Sequence, residues 1–399
     1  MLGRSFWGLT DQAVSSLSSL LLAMMVARVS TPAEVGAWAI GYAAYTFVLT
    51  VTRSAVSTTA LIADPDQKTA IVDRGAATVA LLFGVLVGII FVSVGLLFSG
   101  PISGYLLLFG LSLPILLLDD ALRYVLIRRK RPELTTIADV LWILFQAAFG
   151  VYASIKGFGG PGVTVGWSAG AAISLAFLLW AAKFPPGLKP AAEFLRANKN
   201  SSSKLLLDSV MTAGSANLVP VMLGAIIGLA ATGYFRGALT LLGVAGVVVM
   251  GLTPIATVEV KSRVDNRRFR RRFLLIWVAL LGAVGSSLAL FLLWMPDSLG
   301  HAMIGDSWNG TSTIILIMSL QVILRGPFTG VSIVLRASRK LNKVLMLRLM
   351  HSAGSLVLTL GGAQFYGLQG ASWGWAASSV LGSLLAVAVY RRAFTTTTL

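Results

Sequence analysis

The sequence predicts an all-α integral membrane protein with about twelve transmembrane helices, arranged as two pseudo-symmetric six-helix lobes. Three observations support this prediction. The composition is 56% hydrophobic and 12% charged, with a mean hydropathy of +0.83, far from that of a soluble domain. The apolar residues form runs long enough to cross a bilayer, which takes roughly 20 residues at 1.5 Å each. Several features of the first half also recur, in order, in the second half.

The predicted spans follow one another with short connections. The first run contains Asp11 and is long for a signal peptide, and no convincing small-residue cleavage site follows it. We therefore expect it to be the first span. The predicted spans are 8–28, 35–58, 78–98, 105–127, 134–155, 162–182, 205–228, 232–258, 273–294, 312–335, 343–365 and 369–390.

Basic residues indicate how the chain is oriented. Most of the 32 lysines and arginines lie in the loops of one side, whereas Arg28 and Lys156 lie on the other. By the positive-inside rule the basic loops and both termini are expected to be cytoplasmic. The net charge of +17 could indicate a nucleic-acid partner, but its placement in short loops between apolar runs favours membrane orientation instead. No nucleic acid is expected to bind.

The two halves resemble each other at matched positions. Because each half holds six predicted spans, both halves run in the same sense, with a cavity expected between them. The predicted domains are a first lobe at 1–182, a linker at 183–204 and a second lobe at 205–399. The matched positions are Asp11 and Gly36 with Asp208 and Gly233, and Gly162, Gly166 and Trp167 with Gly370, Gly374 and Trp375.

Arg325 is the strongest candidate for a site residue, because it lies near the middle of an apolar run together with Gly326 and Pro327. A centred arginine lies roughly 15 Å from water and costs about 2.5 to 3.5 kcal/mol to insert. It is tolerated when it faces a protein interior or a wet cavity, and the proline is expected to kink the helix there. We interpret Arg325 as an anion-attracting point. The alternative is a satisfied interhelical ion pair.

Four further arginines fall within predicted spans. Arg53 and Arg123 are expected to attract the same anion as Arg325, although snorkelling to the cytoplasmic surface is the alternative for both and for Arg348. Arg236 lies near the outer end of its span, where it either marks the external half of the path or snorkels outward. The candidate substrate-binding residues are Arg325, Arg53, Arg123, Arg236 and Arg348.

Two intramembrane acids are candidates for ion coupling. Carboxylates within spans commonly couple transport to H⁺ or Na⁺, and Asp11 and Asp139 stand in such positions. Asp11 is also a plausible helix-capping or first-turn residue. Asp139 could instead pair with an arginine on the cytoplasmic side.

The sequence argues against enzymatic chemistry. It has no cysteine and two histidines, so thiol catalysis and a zinc site are not expected, and no P-loop motif is present. The longest predicted outer loop, at 295–311, offers only Asp297, His301 and Asp306 for acid–base work. We expect no metal and no cofactor, apart from a coupling ion.

Several loose motifs are spread over nearly the whole chain. They are Asp11-Gln-Ala, Ala27-Arg28-Val29, Pro32-Ala-Glu34-Val-Gly36, Asp119-Asp-Ala-Leu-Arg123-Tyr, Arg129-Lys-Arg-Pro132, Asp139-Val-Leu-Trp142, Gln146 and Thr232-Gly233-Tyr-Phe-Arg236-Gly-Ala-Leu. In these motifs the chain resembles lipid-linked oligosaccharide flippases, the polysaccharide-biosynthesis members of the multidrug, oligosaccharidyl-lipid and polysaccharide exporter (MOP) superfamily.

This resemblance implies a V-shaped transporter in a prokaryotic plasma membrane. It would move a polyprenyl-pyrophosphate-linked glycan to the outer leaflet by alternating access through a cationic central cavity, in contact with membrane lipids and polysaccharide-biosynthesis enzymes. One alternative is an ion-coupled small-molecule or multidrug antiporter of the same superfamily. A second is a membrane-embedded glycan-biosynthesis enzyme or a scaffold.

Overall fold

The computed structural model describes residues 2–63, 67–183 and 187–395, and the side chains of residues 14–394 within these ranges, with a few gaps in α8. Within these ranges every regular element is a helix. A π-helical stretch, Arg53–Thr58, joins α2 to α3, and a 3₁₀ turn, Gly305–Ser307, precedes α11. The α-helices are α1 Leu2–Val29, α2 Pro32–Thr52, α3 Thr59–Leu61, α4 Thr69–Leu97, α5 Pro101–Arg128, α6 Pro132–Ile155, α7 Gly159–Ala182, α8 Leu188–Ser262, α9 Arg267–Leu293, α10 Asp297–Ile304, α11 Trp308–Leu324, α12 Gly326–Ala337 and α13 Leu341–Thr395.

Nine helical segments of the described chain are long and apolar enough to cross a membrane. Two long helices are interrupted, α8 at Gly228 and α13 at Tyr366 and Gly367, where the backbone leaves helical geometry. Both breaks fall where the sequence separates two predicted spans. The all-helical membrane fold is confirmed, whereas the count of twelve spans stays a prediction.

Local sequence explains where several helices begin. Thr31 and Glu34 form a capping box, because the Thr31 backbone N–H donates to the Glu34 carboxylate at 2.8 Å and the Glu34 N–H donates to the Thr31 hydroxyl at 3.3 Å. Prolines occupy the first helical position of α2, α5 and α6, where no N–H is needed. These starts allow short turns between consecutive spans.

The chain divides into two compact units, Met1–Leu218 and Val219–Leu399. The first unit contains α1 to α7 and the beginning of α8. The predicted linker 183–204 stays a prediction, and its described part from Leu188 onward is helical. The second unit contains the rest of α8 and α9 to α13.

Backbone geometry at the turns supports an internal duplication. Arg131 N–H donates to the carbonyl of Leu126 at 2.9 Å, and Lys340 N–H donates to the carbonyl of Leu335 at the same distance. Both bonds close a helix by the same 6→1 pattern around a left-handed residue. Six of the nine described residues with positive φ recur in the same order in the two units, Gly100, Lys130 and Gly159 in the first and Gly305, Arg339 and Gly367 in the second. The other three are Gly157, Lys183 and Gly228.

The beginning of α8 is packed onto the first unit. Phe194 is fully buried among Val72, Leu122 and Leu126 from α4 and α5. Gly75 of α4 permits this contact, since a Cβ there would lie 2.5 Å from the Phe194 Cβ. This part of α8 is therefore held to α4 by direct side-chain packing.

A buried carboxylate holds helix ends together near the contact between α4 and α8. Asp73 of α4 is 1% exposed and accepts a bond from Arg128 at 2.7 Å and one from Arg129 at 2.7 Å. Arg129 also donates to the carbonyl of Ala182, the last residue of α7, at 2.7 Å. The ends of α4, α5 and α7 are thus connected through one basic pair.

Candidate functional site

A cavity of about 230 Å³ lies inside the first unit, between α1, α2, α5, α6 and α7. Its lining includes Arg53, Arg123 and Asp139, three of the residues predicted from the sequence, together with Asp119 and Asp120. The structure therefore brings together charged residues from three different helical segments. Serine and threonine hydroxyls and four aromatic rings complete the wall.

Arg53 occupies the point where α2 changes to π-helical geometry. Its Nε and Nη2 atoms both donate to Oδ1 of Asp120, at 3.1 and 2.6 Å. The guanidinium also lies 5.9 Å from the ring centroid of Tyr124, a cation–π distance. The Arg53 side chain is 40% exposed, whereas that of Asp120 is 7% exposed, so the arginine is the accessible member of the pair.

Arg123 pairs with Asp139 across α5 and α6. Its Nη2 donates to Oδ2 of Asp139 at 2.7 Å, and the two side chains are 11% and 4% exposed. Asp119, one turn before Arg123, accepts a hydrogen bond from the Ser174 hydroxyl of α7 at 2.7 Å. The cavity wall thus contains three aspartates and two arginines, so its formal charge is negative.

Aromatic rings form one wall of the cavity. Trp167 of α7 packs against Tyr45 of α2 at 5.4 Å and against Trp142 of α6 at 5.6 Å between ring centroids. The Trp142 indole N–H donates to the carbonyl of Trp167 at 3.0 Å, which fixes the orientation of that ring. Tyr42 lies one turn before Tyr45, with its ring centroid 5.7 Å away. Trp142 and Tyr42 are half-buried and expose part of their rings.

Arg325 lies in the second unit, at the junction between α11 and α12. The helix ends at Leu324 and starts again at Gly326, with Pro327 in the first turn of α12. Gly326 approaches the backbone of α9 closely, since a Cβ there would lie 3.1 Å from the Cα of Val278. The expected interruption by glycine and proline is therefore present at this arginine.

Arg325 and Arg348 form a cationic pair. Both side chains are exposed, neither takes part in an ion pair within the described chain, and Arg348 is near enough to repel Arg325 electrostatically. The sequence contains no acidic residue after Asp306, so α11, α12 and α13 offer no carboxylate to either. His351, one turn after Arg348, packs its ring against Phe328 at 4.5 Å. This is the least compensated positive charge in the membrane-spanning part that the structure describes.

Comparison with known proteins identifies the family. A family model described as polysaccharide biosynthesis protein matches residues 25–313, which is most of the chain. The chain belongs to this polysaccharide biosynthesis family. No curated protein sequence is significantly similar to it.

Solved structures show that this polysaccharide biosynthesis protein has the fold of MATE transporters. A multidrug resistance MATE family transporter of the MOP superfamily, in an inward-facing conformation, matches with a TM-score of 0.74 and 14% identity, over 99% of this chain and 96% of the other. A mutant of the Vibrio cholerae MATE transporter VcmN matches with a TM-score of 0.58 and 15% identity, over 99% of this chain and 97% of the other. A MOP superfamily transporter from Pyrococcus furiosus matches with a TM-score of 0.57 and 16% identity, over 98% of this chain and 94% of the other. Its binding pocket is described as having reverse polarity.

Two predicted site residues lie apart from these clusters. Arg236 is half-buried in α8 beside the first turn of α11, where the Thr311 hydroxyl donates to the carbonyl of Tyr234 at 2.9 Å. Arg325 lies at the other end of α11, roughly 20 Å away at 1.5 Å per residue. Asp11 lies well inside α1, and its side chain is outside the described residues.

Sequence reasoning missed the aromatic wall of this family member. Trp142 and Trp167 stand out in the sequence only as parts of loose motifs, and Tyr42 and Tyr45 belong to no motif. A usable signal existed, because Tyr42 and Tyr45 are spaced to share one helix face in the middle of a span. Aromatic rings at membrane depth, away from the interfaces, are candidates for ligand contacts.

Proposed function

We propose that this protein is a flippase that moves a polyprenyl-pyrophosphate-linked oligosaccharide from the cytoplasmic to the outer leaflet of a prokaryotic plasma membrane by alternating access. Membership of the polysaccharide biosynthesis family and a transporter fold both support this function. Both termini would be cytoplasmic, in agreement with the basic loops. No covalent chemistry would be required.

The observation that carries the proposal is the cationic pair of Arg325 and Arg348. A lipid tail can remain in the bilayer during transport, but the pyrophosphate must cross a region of low dielectric constant. Guanidinium groups suit this task because they stay charged and offer paired donors to phosphate oxygens. Arg53 and Arg123 already engage Asp120 and Asp139. We therefore assign the pyrophosphate contact first to Arg325, with Arg348 supporting it.

The test is a flipping assay in liposomes that contain the purified protein. The probe is undecaprenyl pyrophosphate that carries a fluorescent oligosaccharide. A charge-assisted hydrogen bond is worth about 1.5 to 3 kcal/mol, so Arg325→Gln should slow flipping by about 10- to 150-fold. Arg268→Gln, which removes an exposed charge from the first turn of α9, is the matched control and should flip at the wild-type rate. Wild-type flipping by Arg325→Gln would exclude this residue from the site.

One observation favours a second candidate function, an antiporter of small cations driven by H⁺ or Na⁺. The cavity of the first unit contains three aspartates and several aromatic rings, a lining that suits organic cations better than phosphates. Asp139 would then be a coupling residue. Uptake of a small fluorescent cation into liposomes that responds to an imposed ion gradient, without flipping of the lipid-linked glycan, would favour this function.

A further inference from the structure

We propose that the cavity of the first unit binds one sugar ring of the transported glycan, and that Trp142 supplies the surface on which the ring stacks. This inference rests on the proposed flippase function and specifies which part of the substrate this cavity takes. It separates the contact with the saccharide from the contact with the pyrophosphate, which we assign to Arg325.

The chemistry of the wall fits a saccharide. A pyranose has C–H groups on its faces and hydroxyls around its edge, so it needs a flat apolar surface next to mixed donors and acceptors. Trp142 offers such a surface, because it is half-buried and held by its bond to the carbonyl of Trp167. Tyr42 offers a second accessible ring, while Tyr45 and Trp167 are buried behind them. The accessible rings of Trp142 and Tyr42 are thus held in place by the buried rings of Tyr45 and Trp167.

The polar side of the cavity provides the partners that sugar hydroxyls require. Thr46 and Thr50 of α2 and Ser15 of α1 contribute hydroxyls to the lining. Carboxylates of Asp119 and Asp120 accept hydrogen bonds, and the partly exposed guanidinium of Arg53 donates them. The hydroxyls of a neutral polyol both donate and accept hydrogen bonds, so they suit this mixed lining.

The same geometry disfavours the pyrophosphate. Asp120 and Asp139 already neutralise Arg53 and Arg123, so an anion in this cavity would meet no excess of positive charge. A third carboxylate, Asp119, would repel the anion further. The negative charges that make this cavity unsuitable for phosphate do not penalise an uncharged sugar.

Size limits the occupant to a single ring. Pockets for drug-sized ligands occupy about 300 to 1,000 Å³, and this cavity occupies about 230 Å³. An oligosaccharide would not fit, whereas one monosaccharide unit would. The cavity would therefore contact one sugar of the chain and leave the others outside it.

Binding measurements with two lipids test the inference. The probes are undecaprenyl pyrophosphate and the same lipid that carries one N-acetylglucosamine or one galactose, bound to the full-length protein in detergent micelles. We expect at least one sugar-bearing lipid to bind the wild type about 10-fold more tightly than the bare lipid. Trp142→Leu, which keeps apolar volume but removes the flat ring, should abolish this advantage and leave affinity for the bare lipid unchanged. Arg325→Gln should lower the affinity of the protein for all of these lipids.

The controls make each outcome decisive. Trp180→Leu removes a tryptophan that is 74% exposed on α7 and should keep the sugar advantage. Tyr42→Leu tests the second ring and replaces Trp142→Leu if that variant does not fold. Equal affinity of the wild type for bare and sugar-bearing lipids, or an advantage that survives Trp142→Leu, would overturn the sugar site and leave the flippase proposal standing. Failure of every lipid to bind the wild type would overturn both.

Discussion

Arg123 and Asp139 form an ion pair of 2.7 Å between α5 and α6, and both side chains are almost entirely removed from solvent. The pair lies in the cavity wall of the first unit, so the same contact serves both the packing of two spans and the charge balance of the site. Buried pairs are sensitive to the loss of one member, because the remaining charge loses an ionic partner in surroundings that solvate it poorly.

Asp139→Asn should therefore destabilise the protein. We expect a loss of about 3 kcal/mol and a clearly lower midpoint of thermal unfolding in detergent, measured by tryptophan fluorescence. The double substitution Arg123→Met with Asp139→Leu removes both charges and should recover most of the stability. If Asp139→Asn were as stable as the wild type, the burial of Arg123 would not depend on its ion pair with Asp139.

A second ion-pair prediction concerns the end of the first unit that we expect to face the cytoplasm. Asp73 holds two arginines at 2.7 Å while being 1% exposed, so Asp73→Asn should also cost about 3 kcal/mol. Glu133→Gln is the matched control, since Glu133 pairs with Arg131 at 3.8 Å with both side chains about half exposed. Surface pairs contribute about 0 to 1 kcal/mol. Equal unfolding midpoints for the two variants would contradict this ranking.

The architecture was largely predictable from the sequence. The apolar runs locate the helices, and the breaks inside α8 and α13 fall at the gaps between predicted spans, where Gly228 and Gly367 adopt positive φ at little cost. The start of α8 was harder to foresee. Residues 191–197 belong to the predicted linker 183–204, but in the structure they are part of α8, which begins at Leu188 and packs on α4 through Phe194 and Gly75.

The candidate site was less predictable, for a physical reason. Arg53, Arg123 and Asp139 were recognisable as charges within apolar runs, but which acid meets which arginine depends on helix rotations. Uniformly apolar helices carry too little periodicity to fix those rotations. For Arg325 the sequence also left an interhelical ion pair open, although no acidic residue follows Asp306.

The contact between α4 and α8 yields a prediction about helix packing. A methyl group at Gly75 would lie 2.5 Å from both the Phe194 Cβ and the Pro190 carbonyl oxygen, so Gly75→Ala should cost about 1 to 3 kcal/mol. Gly104→Ala in α5 provides the opposite case, as nothing lies within 4 Å of its Cβ position. That variant should be neutral or stabilising by about 0.5 to 1 kcal/mol through helix propensity. Thermal unfolding of both variants checks the sign of each effect, and an unchanged midpoint for Gly75→Ala would contradict the packing.

Arg325→Lys distinguishes the geometry of the cation from its charge. Lysine keeps the positive charge but loses the planar fork that binds phosphate oxygens in pairs, so flipping should fall between the rates of the wild type and Arg325→Gln. Arg348→Gln should have a smaller effect than Arg325→Gln, because Arg348 supports the site from one side. Flipping rates in the same liposomes give both comparisons, and wild-type flipping by Arg325→Lys would mean that charge alone suffices. In that event the interruption between α11 and α12 would serve to place a positive charge at membrane depth, with no requirement for paired hydrogen bonds to the pyrophosphate.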